Sequence, residues 1–121
     1  MGATELVGNN KLHFTNALNA FKLAPDYLNT DCSYEMMNIN SQKSVNIATG
    51  SQDNNAQVEQ YTYDQWDSQK WIFEKVDSSY YKIVNKNSGK VLDVCGLSQN
   101  ENAQVVQYEY NGGWNQQWKI T

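Results

Sequence analysis

The stretch DQWDSQKWIF, residues 64–73, has a counterpart at the end of the chain, NGGWNQQWKI, residues 111–120. In each stretch a glutamine stands two positions before a tryptophan, Trp71 in the first and Trp118 in the second. The second stretch consists mainly of glycines, amides and aromatic residues, whereas a catalytic loop would be expected to contain acids, bases or a nucleophile. The pattern therefore indicates a repeated structural element.

The repeat extends well beyond these two stretches. Trp118 lies 47 residues after Trp71 (118 − 71 = 47), and the same offset aligns residues 33–63 with residues 80–110 without a gap. The run NAQV is identical in the two copies. Repetition at this period is typical of stacked units, each of which cannot bury a hydrophobic core alone. The sequence therefore predicts two equivalent units packed against each other.

Each unit is expected to contain about four short strands and no helix. In the second copy, runs with β-branched and aromatic residues are separated by glycine- and asparagine-rich turns, which is typical of strands joined by tight connections. The predicted strands are YYKIVN (80–85), KVLDV (90–94), AQVVQYEY (103–110) and QQWKI (116–120). The predicted fold class is all-β.

The amino-acid composition limits the kinds of molecule that the chain is expected to bind. The chain has 121 residues, a net charge of −4 and only nine lysine and arginine residues, while tyrosine, tryptophan and side-chain amides are abundant. Binding to nucleic acid or to an anionic membrane requires clustered cations, and a membrane helix requires about 18 or more consecutive apolar residues. We therefore expect neither a nucleic-acid partner nor membrane insertion, and a neutral polar partner fits better.

Strand periodicity brings two candidate binding residues together. Side chains of a strand alternate between its two faces. If Leu92, Val94 and Val105 point into the core, Asp93 and Tyr108 are left on the outer side of adjacent strands. A carboxylate then stands beside an aromatic ring.

The segments SGKVLDV (88–94) and NAQVVQYEYNGGWNQQW (102–118) strongly resemble the repeat of the ricin B-chain type lectins, the QxW repeat of carbohydrate-binding β-trefoils. The resemblance covers residues 33–121. It implies a β-trefoil with two clear repeats and a short or incomplete first one. It also implies a lectin module without catalytic activity, cofactor or metal.

The resemblance further implies a sugar-binding site in the last repeat. There Asp93 would accept hydrogen bonds from sugar hydroxyls, Tyr108 would stack on the pyranose ring and Asn115 would bond further hydroxyls, with Gln116 in support. A flat aromatic ring matches the C–H face of a sugar, and a carboxylate and an amide match its hydroxyl rim. The expected ligands are glycans with galactose- or xylose-type sugars.

The first copy keeps the frame of this site but changes its chemistry. Its equivalent residues are Asn46, Tyr61, Ser68 and Gln69, so the charged acceptor is replaced by a neutral amide. A weak or inactive second site is expected there. Trp66 could restore it by stacking, just as Trp114 could assist the site in the second copy.

Three segments follow from the repeat: residues 1–31, residues 32–77 with the altered site, and residues 78–121 with the complete site. Two interpretations of the first segment remain open. It is either a truncated and diverged repeat or an N-terminal extension containing a short amphipathic helix. Because a β-trefoil needs three units, a homodimer or a domain swap is one way to complete the fold.

Two other functions remain open at this stage. A glycosidase usually needs two carboxylates around one bond, and Asp93 has no evident second acid beside it. A protein-interaction module that keeps the lectin frame without binding sugar is the main alternative. Cys32 and Cys95 occupy non-equivalent positions in the repeat and leave their redox state open. The expected setting is extracellular, as a secreted module of a larger protein.

Overall fold

Six short strands and four one-turn 3-10 segments form the regular structure of residues 28–120, the part of the chain that the computed structural model describes. The strands are β1 Ser44–Ile47, β2 Val58–Tyr61, β3 Trp71–Lys75, β4 Tyr81–Asn85, β5 Val91–Val94 and β6 Val105–Tyr108. The 3-10 segments are Ala48–Gly50, Asp67–Gln69, Cys95–Leu97 and Trp114–Gln116. The all-β prediction is confirmed. The two interpretations of the N-terminal segment fall on residues that lie, except for 28–31, outside the described range.

The strands pair in antiparallel order along the chain. β1 and β2 form a two-stranded sheet, and β3 to β6 form a four-stranded sheet in sequence order. Such antiparallel neighbours need only short connections, which agrees with the closely spaced turns of the sequence. The predicted fourth strand of the second unit is reduced to a single bridge, between Trp118 and Tyr81.

The two sequence copies make equivalent contacts. The indole N–H of Trp71 donates to the carbonyl of Val45 at 3.0 Å, and the indole N–H of Trp118 donates to the carbonyl of Leu92 at 3.2 Å. Val45 and Leu92 are themselves 47 residues apart. Buried tryptophans need such a partner for their N–H group. Each repeat tryptophan thus closes its own unit in the same way.

One hydrophobic cluster joins the two units. Its buried residues come from all six strands and from the segments before β1 and after β6: Met36, Val45, Ile47, Val58, Trp71, Phe73, Tyr81, Ile83, Leu92, Val105, Trp118 and Ile120. Both repeat tryptophans belong to this cluster. Neither unit could bury these side chains alone, which is the physical reason for the repetition.

The strands β1 and β5 each run into a turn with an unusual backbone. In the first unit Thr49 and Gly50 have φ values of 60° and 66°, and in the second Gly96 and Leu97 have values of 68° and 58°. Each turn therefore places one non-glycine residue in the left-handed region, at a cost of about 1–2 kcal/mol. These turns lie at the edges of the two cavities described below, so the strain is located where ligands could be bound.

Within residues 28–120, no helix has the length and apolar character needed to span a membrane. In the same range, Cys32 and Cys95 are exposed free thiols.

Candidate functional site

A cavity of about 370 Å³ opens at the end of strands β5 and β6 in the second unit. Asp93, Tyr108 and Asn115 all line it, together with Gly113 and Asn111 from the turn that precedes the last tryptophan. The structure therefore brings three of the four residues proposed from the sequence to one surface. The fourth, Gln116, lies behind them.

The pairing of β5 with β6 sets the positions of the carboxylate and the ring. Asp93 pairs with Val106, and Tyr108 pairs with Val91. Asp93 and Tyr108 are therefore diagonal neighbours on one face of the pair, a separation that aromatic and long side chains can bridge. The cavity lies between this face and the Trp114–Gln116 turn.

Asp93 is buried although it lies on the outer face of its strand. It is 5% exposed, because the turn folds over it. Its Oδ1 accepts a hydrogen bond from Asn115 Nδ2 at 3.0 Å, and its Oδ2 accepts one from Gln116 Nε2 at 2.9 Å. Burial raises the pKa of Asp93, and the hydrogen bonds from Gln116 and Asn115 oppose that rise. Each carboxylate oxygen has a further lone pair for a ligand hydroxyl.

Gln116 orients the site without facing the cavity. It is fully buried. Its Nε2 donates to Asp93 and also to the carbonyl of Glu109 at 3.0 Å, while its Oε1 accepts from the backbone N–H of Asn111 at 2.9 Å. The side chain thus connects the carboxylate to the backbone between β6 and the turn.

Asn115 presents an acceptor to the cavity. Its Nδ2 donates to Asp93 Oδ1 and to the carbonyl of Val94, both at 3.0 Å. These two bonds use both hydrogens of the amide, so the Oδ1 atom is the group left for a ligand. Asp93 and Asn115 therefore both offer acceptors, and the matching ligand is one whose hydroxyl groups donate.

Gly113 makes room for Asn115. A Cβ atom at position 113 would lie 2.5 Å from Asn115 Oδ1, which is far closer than a van der Waals contact. The backbone of Gly113 is ordinary, with φ −62° and ψ 150°, so the requirement for glycine is steric. It comes mainly from Asn115 Oδ1 and also from Asn111 Oδ1, which the Cβ would approach to 3.0 Å. Gly113 was not among the residues proposed from the sequence, although it is equivalent to Trp66 at the offset of 47 residues.

The cavity also has a wall from the first unit. Asn55 lines it, with a left-handed backbone (φ 68°) and a backbone N–H that donates to the carbonyl of Gln107 at 2.8 Å. Asn55 was not proposed from the sequence, because it belongs to the other repeat. Trp114, which was expected to assist, is 88% exposed and is not part of the cavity wall.

In the first unit, three of the four proposed residues are buried and bonded to the protein. Ser68 Oγ donates to Asn46 Oδ1 at 2.8 Å, and Asn46 Nδ2 donates to Glu59 Oε2 at 2.9 Å. Gln69 repeats the role of Gln116, since its Nε2 donates to the carbonyl of Thr62 at 2.7 Å. These polar groups are used to hold the turn in place.

The fourth residue, Tyr61, is covered by Trp66. Their ring centroids are 5.6 Å apart with an interplanar angle of 28°, which is a stacked arrangement. Trp66 stands at the position equivalent to Gly113 and Ser68 at that of Asn115. Because a Cβ at the glycine position conflicts with an asparagine two residues later, the two replacements belong together. One face of the Tyr61 ring is therefore occupied by the indole.

No group of three or more potential metal-ligating side chains occurs among the described residues 28–120. His13, the one histidine of the chain, lies outside that range.

The repeated units, the tryptophans that close them and the cavity beside β5 and β6 define a β-trefoil domain of lectin type. The model of the ricin-type β-trefoil lectin domain-like family matches the chain twice, at residues 20–108 and 67–121. The chain belongs to this family, which confirms the resemblance inferred from the sequence. No curated protein matches the chain.

Solved structures show the same fold. The designed threefold-symmetric protein ThreeFoil is 38% identical with a TM-score of 0.73, over 75% of this chain and 65% of its own. An exo-β-1,3-galactanase from Clostridium thermocellum is 28% identical with a TM-score of 0.71, over 74% of this chain. The hemolytic lectin CEL-III is 26% identical with a TM-score of 0.61, over 72%. The chain spans 19% of the galactanase and 20% of CEL-III, so these likenesses concern one part of each larger protein.

Proposed function

We propose that the chain is a carbohydrate-binding module that takes galactose- or xylose-type sugars in the cavity of the second unit. The observation that carries this proposal is the arrangement of two acceptors, Asp93 and Asn115, beside the ring of Tyr108 in one cavity. A pyranose presents an apolar C–H face for the ring and neighbouring hydroxyls for the acceptors. Membership of a lectin family supports carbohydrate binding in general.

Binding at a single site of this kind is expected to be weak. A hydrogen bond to a charged group contributes about 1.5–3 kcal/mol net, and a shallow cavity offers few such bonds. The expected dissociation constant for a monosaccharide is on the order of 0.1–10 mM. Useful affinity would then depend on several sites acting together or on attachment to a larger protein.

The lining of the cavity supports binding without catalysis. Among the residues that line it, Asp93 is the one carboxylate. Hydrolysis of a glycoside generally uses two carboxyl groups about 5–9.5 Å apart on opposite sides of the bond. We therefore infer that the chain is a module that attaches a larger protein to a glycan. Such a module would act as part of a secreted protein whose catalytic or toxic activity lies in another domain.

The test is a titration of isotope-labelled protein with methyl β-galactoside and methyl β-xyloside, followed by amide chemical shifts in NMR spectra. Saturable shifts around Asp93, Tyr108 and Asn115 are expected. Asp93→Asn removes the charge and one acceptor and should weaken binding about tenfold or more. Tyr108→Ala should weaken it similarly by removing the stack, whereas Tyr108→Phe keeps the ring and serves as the matched control.

Two outcomes would contradict the proposal. Wild-type protein without saturable shifts at high millimolar sugar would exclude carbohydrate binding of this class and favour the protein-interaction module. Unchanged affinity in a folded Asp93→Asn protein would show that sugar binds elsewhere.

A further inference from the structure

The first unit has a cavity of its own, at the position equivalent to the sugar cavity but lined by different residues. Its volume is about 340 Å³, close to that of the second unit. Its lining residues include Trp66, Asp67 and Asn87. Trp66 was expected to restore the weak second site by stacking, whereas Asp67 and Asn87 were not assigned to it. Of the four residues proposed for that site, Ser68 lines the cavity, and Asn46, Tyr61 and Gln69 are not part of its wall.

Trp66 supplies the aromatic surface of this cavity. One face of its indole stacks on Tyr61, so the tyrosine supports the tryptophan from behind. The side chain is 47% exposed and lines the cavity. The stacking surface is therefore retained, and it is displaced outward by one ring from its position in the second unit.

Asp67 supplies a carboxylate beside that surface. It occupies the position equivalent to Trp114, so the turn tryptophan stands one position earlier in the first unit and is followed by an aspartate. Both ion pairs of Asp67 involve its Oδ1 atom, with Lys70 Nζ at 3.5 Å and Lys86 Nζ at 3.9 Å. Exposed ion pairs of this kind contribute little, and the carboxylate keeps lone pairs for other donors.

Asn87 supplies an amide acceptor from the neighbouring unit. Its Nδ2 donates to the carbonyl of Gly50 at 3.0 Å, and its backbone carbonyl accepts from Gln52 Nε2 at 3.0 Å. Both contacts fix the residue against the left-handed turn that borders the cavity. In the second unit Asn55, likewise from the other repeat, stands at the cavity wall.

We propose that the first unit carries a second, rebuilt carbohydrate site in which Trp66 stacks on the sugar and Asp67 and Asn87 accept hydrogen bonds from its hydroxyls. This inference rests on the proposed function, since both cavities are assigned to neutral sugars. Asp67 is exposed to water, whereas Asp93 is buried, so water competes more strongly for its lone pairs. The rebuilt site is therefore the weaker of the two.

The experiment is the same NMR titration with methyl β-galactoside and methyl β-xyloside, carried out in an Asp93→Asn background that weakens the other site. Saturable shifts at residues 66–68 and 87 are expected to persist there. Asp67→Asn should lower the affinity at this site about tenfold, and Trp66→Ala should weaken it at least as much. The double variant Lys70→Ala/Lys86→Ala removes both ion pairs while keeping the carboxylate, and binding should be retained.

The outcomes separate this inference from the proposed function. Shifts confined to the second unit in wild-type protein would overturn the rebuilt site and leave the proposed function intact. Shifts confined to the first unit would support the rebuilt site and contradict the assignment to Asp93. Absence of shifts in both units would overturn the rebuilt site and the proposed function together. An equal loss of sugar affinity in Asp67→Asn and in the lysine double variant would show that Asp67 acts through its ion pairs. That result would contradict the proposed acceptor role.

Discussion

At the scale of single residues, Asp93 combines burial with a charge. Its two oxygens are each held by a side-chain amide, from Asn115 and Gln116. These bonds retain a carboxylate in a place where burial favours the neutral form and raises its pKa. The arrangement is suited to binding because the acceptor is already positioned and partly desolvated before a ligand arrives.

The raised pKa of Asp93 predicts opposite effects of pH on binding and on stability. The ionised carboxylate is the acceptor, so sugar affinity should fall as the pH drops through the folded-state pKa, at a higher pH than for an unperturbed aspartate. The folded protein holds this proton more tightly than the unfolded chain. The stabilising contribution of Asp93 is therefore fully present below its unfolded pKa and is lost as the pH rises through its folded pKa.

The comparison of wild type with Asp93→Asn between about pH 3 and pH 6.5 tests both effects, since unperturbed aspartate titrates near pH 3.9. Affinity is measured by titration and the free energy of unfolding by urea denaturation. The variant cannot ionise at position 93. Its sugar affinity and its free energy of unfolding should therefore lack the pH dependence that Asp93 contributes in the wild type. Identical pH profiles for the two proteins would contradict the raised pKa.

At the scale of elements, the 3-10 turn before each repeat tryptophan decides what the unit can bind. Both turns are held by a buried glutamine and lead to a buried tryptophan. They differ at two positions that line the cavity in both units. The second unit has Gly113 with Asn115, and the first has Trp66 with Ser68. A glycine at the first position leaves room for the asparagine at the second, whereas any residue with a Cβ atom conflicts with it.

Gly113→Ala is predicted to separate binding from stability. The backbone dihedral angles at position 113 suit alanine, so the free energy of unfolding should change by less than about 1 kcal/mol. The added Cβ would lie 2.5 Å from Asn115 Oδ1 and should displace this acceptor, so sugar affinity in the second unit should fall about tenfold. Affinity is measured by titration and stability by urea denaturation.

The double variant Gly113→Ala/Asn115→Ser is the control for that mechanism. It copies the small residue of the first unit and removes the contact, so any loss of stability in the single variant should be recovered while binding stays weak. Because the two positions touch, their effects should not add. Unchanged sugar affinity in Gly113→Ala would show that Asn115 does not take part in binding.

At the scale of the whole molecule, one core shared by two units carries the stability. Trp71 and Trp118 contribute the largest side chains to this core, and each also donates an indole hydrogen bond to a strand of its own unit. The two cavities lie at the periphery, where their walls include residues from both units. Binding residues can therefore change between the units while the frame stays the same.

Replacing Trp71 or Trp118 by alanine should lower the free energy of unfolding by about 3–5 kcal/mol, because a large cavity is left in the core. Trp114→Ala is the matched control. That side chain is 88% exposed, so its loss should change stability by less than about 0.5 kcal/mol. Urea denaturation measures all three. A loss below about 1 kcal/mol for Trp71→Ala would contradict its role as a core anchor.

The amino-acid sequence by itself determined the all-β class, the two units and the meeting of Asp93 with Tyr108. These features follow from periodicity. The offset of 47 residues marks equivalent positions, and the alternation of side chains along strands assigns residues to faces. The sequence also placed Asn115 beside them through the resemblance to lectin repeats. Local patterns are sufficient for such inferences because each depends on one strand or one turn.

The tertiary structure alone decided which side chains line each cavity. Asn55 and Asn87 reach cavities of the opposite unit, a relation that no pattern within one repeat contains. Gln116 proved to be buried behind the site. Trp66, at the position equivalent to Gly113, stacks on Tyr61 and forms a new cavity wall. Packing between distant segments sets these contacts, whereas the sequence period specifies only the frame that holds them.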